Sequence, residues 1–114
     1  MSAEEYLEAE RASGIKHEYY QGRMYEMAGA SFPPARITPN VTGELYRALK
    51  KTPCQVFSSD LRIRVSPDGL YTYPDLSIVC DEPQLADGHM DTLLNPAVIV
   101  EVFSESTEIG RAHV

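Results

Sequence analysis

Ala97-Val98-Ile99-Val100-Glu101-Val102-Phe103 is the longest apolar run in the chain, and a single carboxylate stands inside it. A short continuous run of this kind, entered through Pro96, reads as a strand of the sheet interior rather than an edge. It predicts a central strand. Alternation along it puts Glu101 on the face shared by Ile99 and Phe103, opposite Val100 and Val102. A lone carboxylate is expensive to bury there, so the pattern requires something that compensates its charge.

Working outward, residues 81–95 are polar and punctuated by Pro83 and Gly88, which predicts a loop. Before it, residues 55–58, 61–65, 70–73 and 76–80 read as short strands, with Ser66-Pro67-Asp68-Gly69 turning between the second and third. Residues 31–35 are broken by Pro33 and Pro34. Val41, Leu45, Ala48 and Leu49 then recur at helical spacing, so a helix is expected from Pro39 to about Lys51 with Thr38 as its cap. Residues 15–20 and 23–28 flank Gln21-Gly22 as a hairpin. Ser2 and Glu5 form a capping-box pattern for a short N-terminal helix that Gly14 ends. Ser104 to Glu108 resembles a helix start with about one turn of chain behind it, too little to stand alone. Helical and strand segments interleave, so the expected fold class is α/β: one domain, residues 1–114, with a mixed β-sheet and one or two helices packed on it.

The composition is 43% hydrophobic and 24% charged, which is ordinary globular usage and excludes a disordered chain. At 114 residues one core is feasible and two are not. The formal charge of −7 repels nucleic acid and acidic membranes at long range, so contact with DNA needs a local basic patch or a metal. No apolar run approaches the roughly 18 residues of a membrane span, and the N-terminus is acidic, so a cytoplasmic location is expected. Cys54 and Cys80 stand singly without metal-ligand spacing and are read as buried free thiols. His17, His89 and His113 are scattered and read as solvated loop histidines, which leaves zinc chemistry and a Ser-His-Asp triad unsupported. The isolated glycines exclude a phosphate-binding loop.

The chemistry therefore falls to carboxylates. Asp75 follows Pro74 at the mouth of a strand, and with Glu101 on a neighbouring strand it could hold a divalent cation such as Mg²⁺, which takes oxygen ligands and keeps several waters. Glu18 and Asp60 are candidates for a third oxygen ligand or plain surface carboxylates. A purely structural alternative remains open, in which Asp75 caps a turn and Glu101 pairs with Arg62 or Arg64.

Five ordered blocks carry a resemblance: Ile15-Lys16-His17-Glu18-Tyr19-Tyr20-Gln21-Gly22, Met27-Ala28-Gly29-Ala30-Ser31, Ser59-Asp60-Leu61-Arg62, Tyr73-Pro74-Asp75-Leu76-Ser77 and Val100-Glu101-Val102-Phe103-Ser104-Glu105-Ser106-Thr107. Together they resemble the Uma family of endonucleases, in the restriction-endonuclease-like PD-(D/E)XK superfamily. The resemblance implies a mixed sheet flanked by helices and hydrolysis of DNA phosphodiester bonds with Mg²⁺ or Mn²⁺. It implies Asp75 as the motif aspartate, Glu101 as the motif acid, the Val102 carbonyl as a further metal ligand, and Glu18 completing the pocket. The superfamily's lysine position holds Phe103, and the family is expected to supply that cation from a following helix. Family members continue with that basic helix and further strands, which are expected to be missing here. The family's histidine after the Ala-Ser turn is replaced by Phe32-Pro33-Pro34-Ala35-Arg36. Two functions are therefore expected to compete. One is a metal-dependent endonuclease weakened by the lost cation. The other is a non-catalytic module that self-associates, as a dimer, through an exposed strand edge.

Overall fold

The Ser2 and Glu5 pair opens the chain as a capping box should: Glu5 N–H donates to Ser2 Oγ at 3.1 Å and Ser2 N–H donates to Glu5 Oε1 at 2.9 Å. These bonds satisfy two backbone donors that a helix start would leave orphaned. The structure, a computed structural model, describes residues 1–27, 32–66 and 69–102. Its elements are α1 (Ala3–Ala12), β1 (His17–Tyr20), β2 (Arg23–Glu26), α2 (Phe32–Leu49) and β3 (Gln55–Ser58), then β4 (Arg62–Arg64), β5 (Tyr71–Thr72), β6 (Leu76–Val79), β7 (Thr92–Leu93) and β8 (Val98–Val100). No helix among the described residues is long and apolar enough to cross a membrane.

The expected hairpin forms between β1 and β2, with Gln21 and Gly22 at φ 49° and 82°. Positive φ at both turn positions matches the strand twist, which is why Gly suits the second of them. Helix α2 departs from expectation. It begins at Phe32 rather than after Thr38. Pro33 and Pro34 fall in its first turn, where a missing N–H costs nothing. Pro39 lies inside the helix and cannot donate to the carbonyl of Ala35.

The strands form two sheets, ordered β2-β1-β5-β4-β7 and β3-β6-β8. β4 and β5 pair antiparallel in the first sheet, while β3 and β6 pair antiparallel in the second. These four strands are one long hairpin that leaves one sheet and enters the other, crossing at residues 59–61 on one arm and 73–75 on the other. Pro74 lies in that crossing, where its lack of an N–H breaks no ladder. β7 and β8 make the same passage through residues 94–97, with β7 running parallel to β4.

Burial follows this layout in two clusters. Tyr6 and Leu7 of α1 pack on Tyr19 and Tyr71 of the first sheet, with the Tyr6 and Tyr19 rings stacked at 5.0 Å between centroids. Ile63, Val79 and Leu93 form the second cluster, with Phe57, Leu85 and Ile99 packed against it.

Four further expectations are corrected by the structure. Thr92 and Leu93, expected in a loop, form β7, because Leu93 is drawn fully into the core. The run around Glu101 forms β8 at a sheet edge among the described residues: Ile99 reaches the core while Val98 stays 48% exposed. Cys54 and Cys80 are joined in a disulfide. The β3 and β6 register, in which Gln55 faces Val79, brings these next residues opposite each other, a proximity that single-residue spacing does not reveal. His17 is not a solvated loop residue but part of β1, its ring 2.9 Å from buried Glu10.

Candidate active site

Asp75 stands half-buried at the crossing between the two sheets, directly before β6. β8 runs antiparallel to β6 with Val100 opposite Leu76, and one further step of that register sets Glu101 opposite Asp75. The end of β8 is tied to this point, since Val102 N–H donates to Asp75 Oδ2 at 2.6 Å. A short bond to an ionised acceptor is of the stronger, charge-assisted kind. Glu101 itself is exposed rather than buried, so the cost of desolvating it does not arise. The apolar run pointed to burial only because its edge position was not legible.

Glu18 approaches the same crossing from the first sheet. Its Oε2 accepts from Thr72 Oγ1 at 2.6 Å, and Thr72 is 6% exposed. Thr72 precedes Asp75 by three residues, at most about 10 Å of extended chain. Asp60 is elsewhere: its side chain is 88% exposed and meets Lys16 Nζ at 3.3 Å, a surface ion pair. Phe103 and the stretch 104–114, including the expected helix start, Arg111 and His113, lie outside the described residues.

Among the described residues, no three His, Cys, Asp or Glu side chains converge as a metal-holding group. The donor set nevertheless suits Mg²⁺. That ion is commonly held by one or two carboxylates, with waters and substrate phosphates completing the shell. Asp75 Oδ1, the Glu101 carboxylate and the Val102 carbonyl are hard oxygen donors at the junction of β6 and β8.

Sequence reading did not find the buried polar network centred on Tyr73, two residues before Asp75. Glu10, 5% exposed on α1, accepts from the Tyr73 hydroxyl at 2.7 Å and from His17 N–H at 2.7 Å. Arg62 donates from one terminal nitrogen to the Tyr73 hydroxyl and from Nε to Thr92 Oγ1, each at 2.9 Å. Its other terminal nitrogen is 2.9 Å from Asp91 Oδ2, close enough for an ion pair though not aligned as a hydrogen bond. Arg11 of α1 adds two bonds to Asp91, at 2.8 and 3.0 Å. Burial, then the hydrogen bond to Glu10, pushes the Tyr73 hydroxyl up to about 12. The Arg11 hydrogen bond, then the nearby Arg62 charge, holds the Asp91 carboxyl well below the usual range. Arg62 is thus committed to Tyr73, Thr92 and Asp91. The only sequence signal for this network was its charged residues set in short strands and on the inner face of α1.

Two Synechocystis sp. proteins, the uncharacterized proteins sll1609 and slr1290, are 33% identical over 106 residues and 35% identical over 108. These matches take in 93% and 95% of this chain, and the chain spans 60% and 56% of the relatives' own length. The crystal structure of an Anabaena variabilis protein, described as a "putative nuclease belonging to DUF820", matches with a TM-score of 0.69 at 14% identity. That match covers 98% of this chain and 65% of the other, and it establishes the shared fold. The Uma2 family model, described as "Putative restriction endonuclease", matches residues 3–113, and the chain belongs to that family.

Proposed function

We propose that the chain contributes the acidic ligands of a Mg²⁺-dependent endonuclease that hydrolyses DNA phosphodiester bonds, with Mn²⁺ as a substitute ion. The observation that carries this reading is the 2.6 Å bond from Val102 N–H to Asp75 Oδ2. It commits one oxygen of Asp75 and leaves Oδ1 to an ion, while the register sets Glu101 across from it. Asp75, Glu101 and the Val102 carbonyl would hold the metal, and Glu18, oriented by Thr72, would close the pocket. When bound, the metal supplies charge stabilisation to the phosphate and an activated water. Family membership supports a nuclease reading for this site.

The test is nicking of supercoiled plasmid in Mg²⁺, Mn²⁺ and EDTA by the chain, Asp75→Asn and Glu101→Gln. The reading requires metal-dependent nicking that both substitutions abolish, and nicking unaffected by either would end it. With DNA as substrate the protein would work in the cytoplasm, where the Cys54 and Cys80 disulfide stands against a reducing poise.

A second reading is favoured by β8, which is an edge strand among the described residues and whose Val98 is 48% exposed. A second copy pairing there would give a homodimer by strand addition. Concentration-dependent sedimentation that a charged substitution at Val98 abolishes would support it, and a monomer at high concentration would not.

A further inference from the structure

We propose that the cleft between α2 and β3 binds a segment of single-stranded DNA, with a nucleobase stacked on Tyr46 and a backbone phosphate against Lys50. The cleft encloses about 390 Å³ and is lined, among others, by Tyr46 and Leu49 of α2, by Lys50 just after it, and by Gln55, Val56 and Phe57 of β3. Tyr46 and Leu49 share one helix face because they stand at i and i+3, and Lys50 follows at the helix end to line the same cleft.

Three observations favour a nucleic-acid strand. The net charge is −7, yet Arg47, Lys50 and Lys51 fall within five residues at the end of α2. Glu44 is the acid nearest to them in sequence, and it is paired with Arg47 at 3.1 Å. Lys50 and Lys51 have no ion-pair or hydrogen-bond partner among the described residues. This is the local basic patch that an acidic chain needs in order to meet DNA. Tyr46 is 65% exposed, the second most exposed of the large hydrophobic side chains among the described residues, and it stands beside those cations. An exposed ring next to unpaired cations is the combination that binds a single strand without reading its sequence. Cations at a helix C-terminus also favour the helix dipole, but that role calls for neither the ring nor the cleft.

The position is suitable as well. Continuing the β3 and β6 register from Ser58 opposite Leu76 sets Ser59 against Asp75, and Phe57, which lines the cleft, is two residues away. At about 3.3 Å per residue that is roughly 7 Å. A strand held in the cleft would therefore lead toward the carboxylates of the proposed nuclease site, and to that extent the inference rests on that reading.

The test is fluorescence anisotropy of a labelled oligothymidylate with the full chain in EDTA, across a salt series, using Tyr46→Ala, Tyr46→Phe and Lys50→Gln. Tyr46→Ala should weaken binding about 5- to 150-fold while Tyr46→Phe retains it. Lys50→Gln should lower the salt slope by about 0.7. Melting temperatures of the variants separate a lost contact from a lost fold. The proposal is overturned if the chain does not bind the oligonucleotide, or if folded Tyr46→Ala and Lys50→Gln bind as the parent does. It is also overturned if Tyr46→Ala alters only self-association. Because the assay excludes metal, its outcome is independent of plasmid nicking and of the Asp75 and Glu101 substitutions.

Discussion

Tyr73→Phe isolates one oxygen atom in the network that fastens α1 to the sheets. The hydroxyl donates to Glu10 at 2.7 Å and accepts from Arg62 at 2.9 Å, and Glu10, Arg62 and Tyr73 are all buried. The ring stays in place, so its contacts with Lys16 and Arg62, at 5.4 and 5.9 Å from the centroid, are conserved. Each lost bond involves a charged group, for which a net value of about 1.5–3 kcal/mol is usual. Both partners keep other bonds, Glu10 to His17 and Arg62 to Thr92, so the loss should be about 2–4 kcal/mol rather than the full sum. That is a large part of the roughly 5–15 kcal/mol expected for a domain. With unfolding entropy scaling by chain length, about 4 °C is lost per kcal/mol, so the midpoint should fall about 8–16 °C. Urea and thermal unfolding of the two proteins measure this directly. A loss under about 0.5 kcal/mol, the level of an ordinary surface substitution, would refute the bridging role of the hydroxyl.

Three further outcomes are expected. The Tyr73 hydroxyl is pushed up to about 12 and that of Tyr6 higher still, chiefly by burial. Both lie above the unfolded value of about 10, so their contribution is complete below pH 10 and is lost as pH rises toward 12. Urea midpoints should therefore drop across that window, and a flat profile would contradict the assignment. The Cys54 and Cys80 link closes a separation of 26 residues, for which loop entropy gives about 3.5 kcal/mol. Cys54→Ser with Cys80→Ser should lower stability by about that amount without reductant, and an unchanged urea midpoint would refute it. Pro39→Ala should restore a donor inside α2 and raise the melting temperature. The expected gain is about 1–3 kcal/mol, below the full helix-interior penalty because α2 already accommodates the ring. A fall in melting temperature would contradict this.

Local signals were legible where a few neighbouring residues decide the outcome. The capping box at Ser2 and Glu5 and the turn at Gln21-Gly22 needed no tertiary information. The start of α2 was obscured because Pro33, Pro34 and Pro39 all resemble helix starts, and only packing decides which of them lies inside. β7 is two residues long, too short for any periodicity, and exists because Leu93 is fully buried. The disulfide and the Glu10, Tyr73 and Arg62 network depend on registers between strands far apart in sequence. For the candidate site, the residue pattern pointed to Asp75 and Glu101 and the resemblance chose Glu18 over Asp60, whereas the exposure of Glu101 and the supporting bonds from Val102 and Thr72 came from geometry alone. Thr72 carried no sequence signal.

The central claim is that Asp75 and Glu101 together hold a divalent cation, and calorimetric titration of Mn²⁺ and Mg²⁺ into the chain, Asp75→Asn and Glu101→Gln tests it most directly. The account predicts one site in the parent that each substitution abolishes while the melting temperature holds. Binding that survives both substitutions, or no binding in the parent, would contradict it.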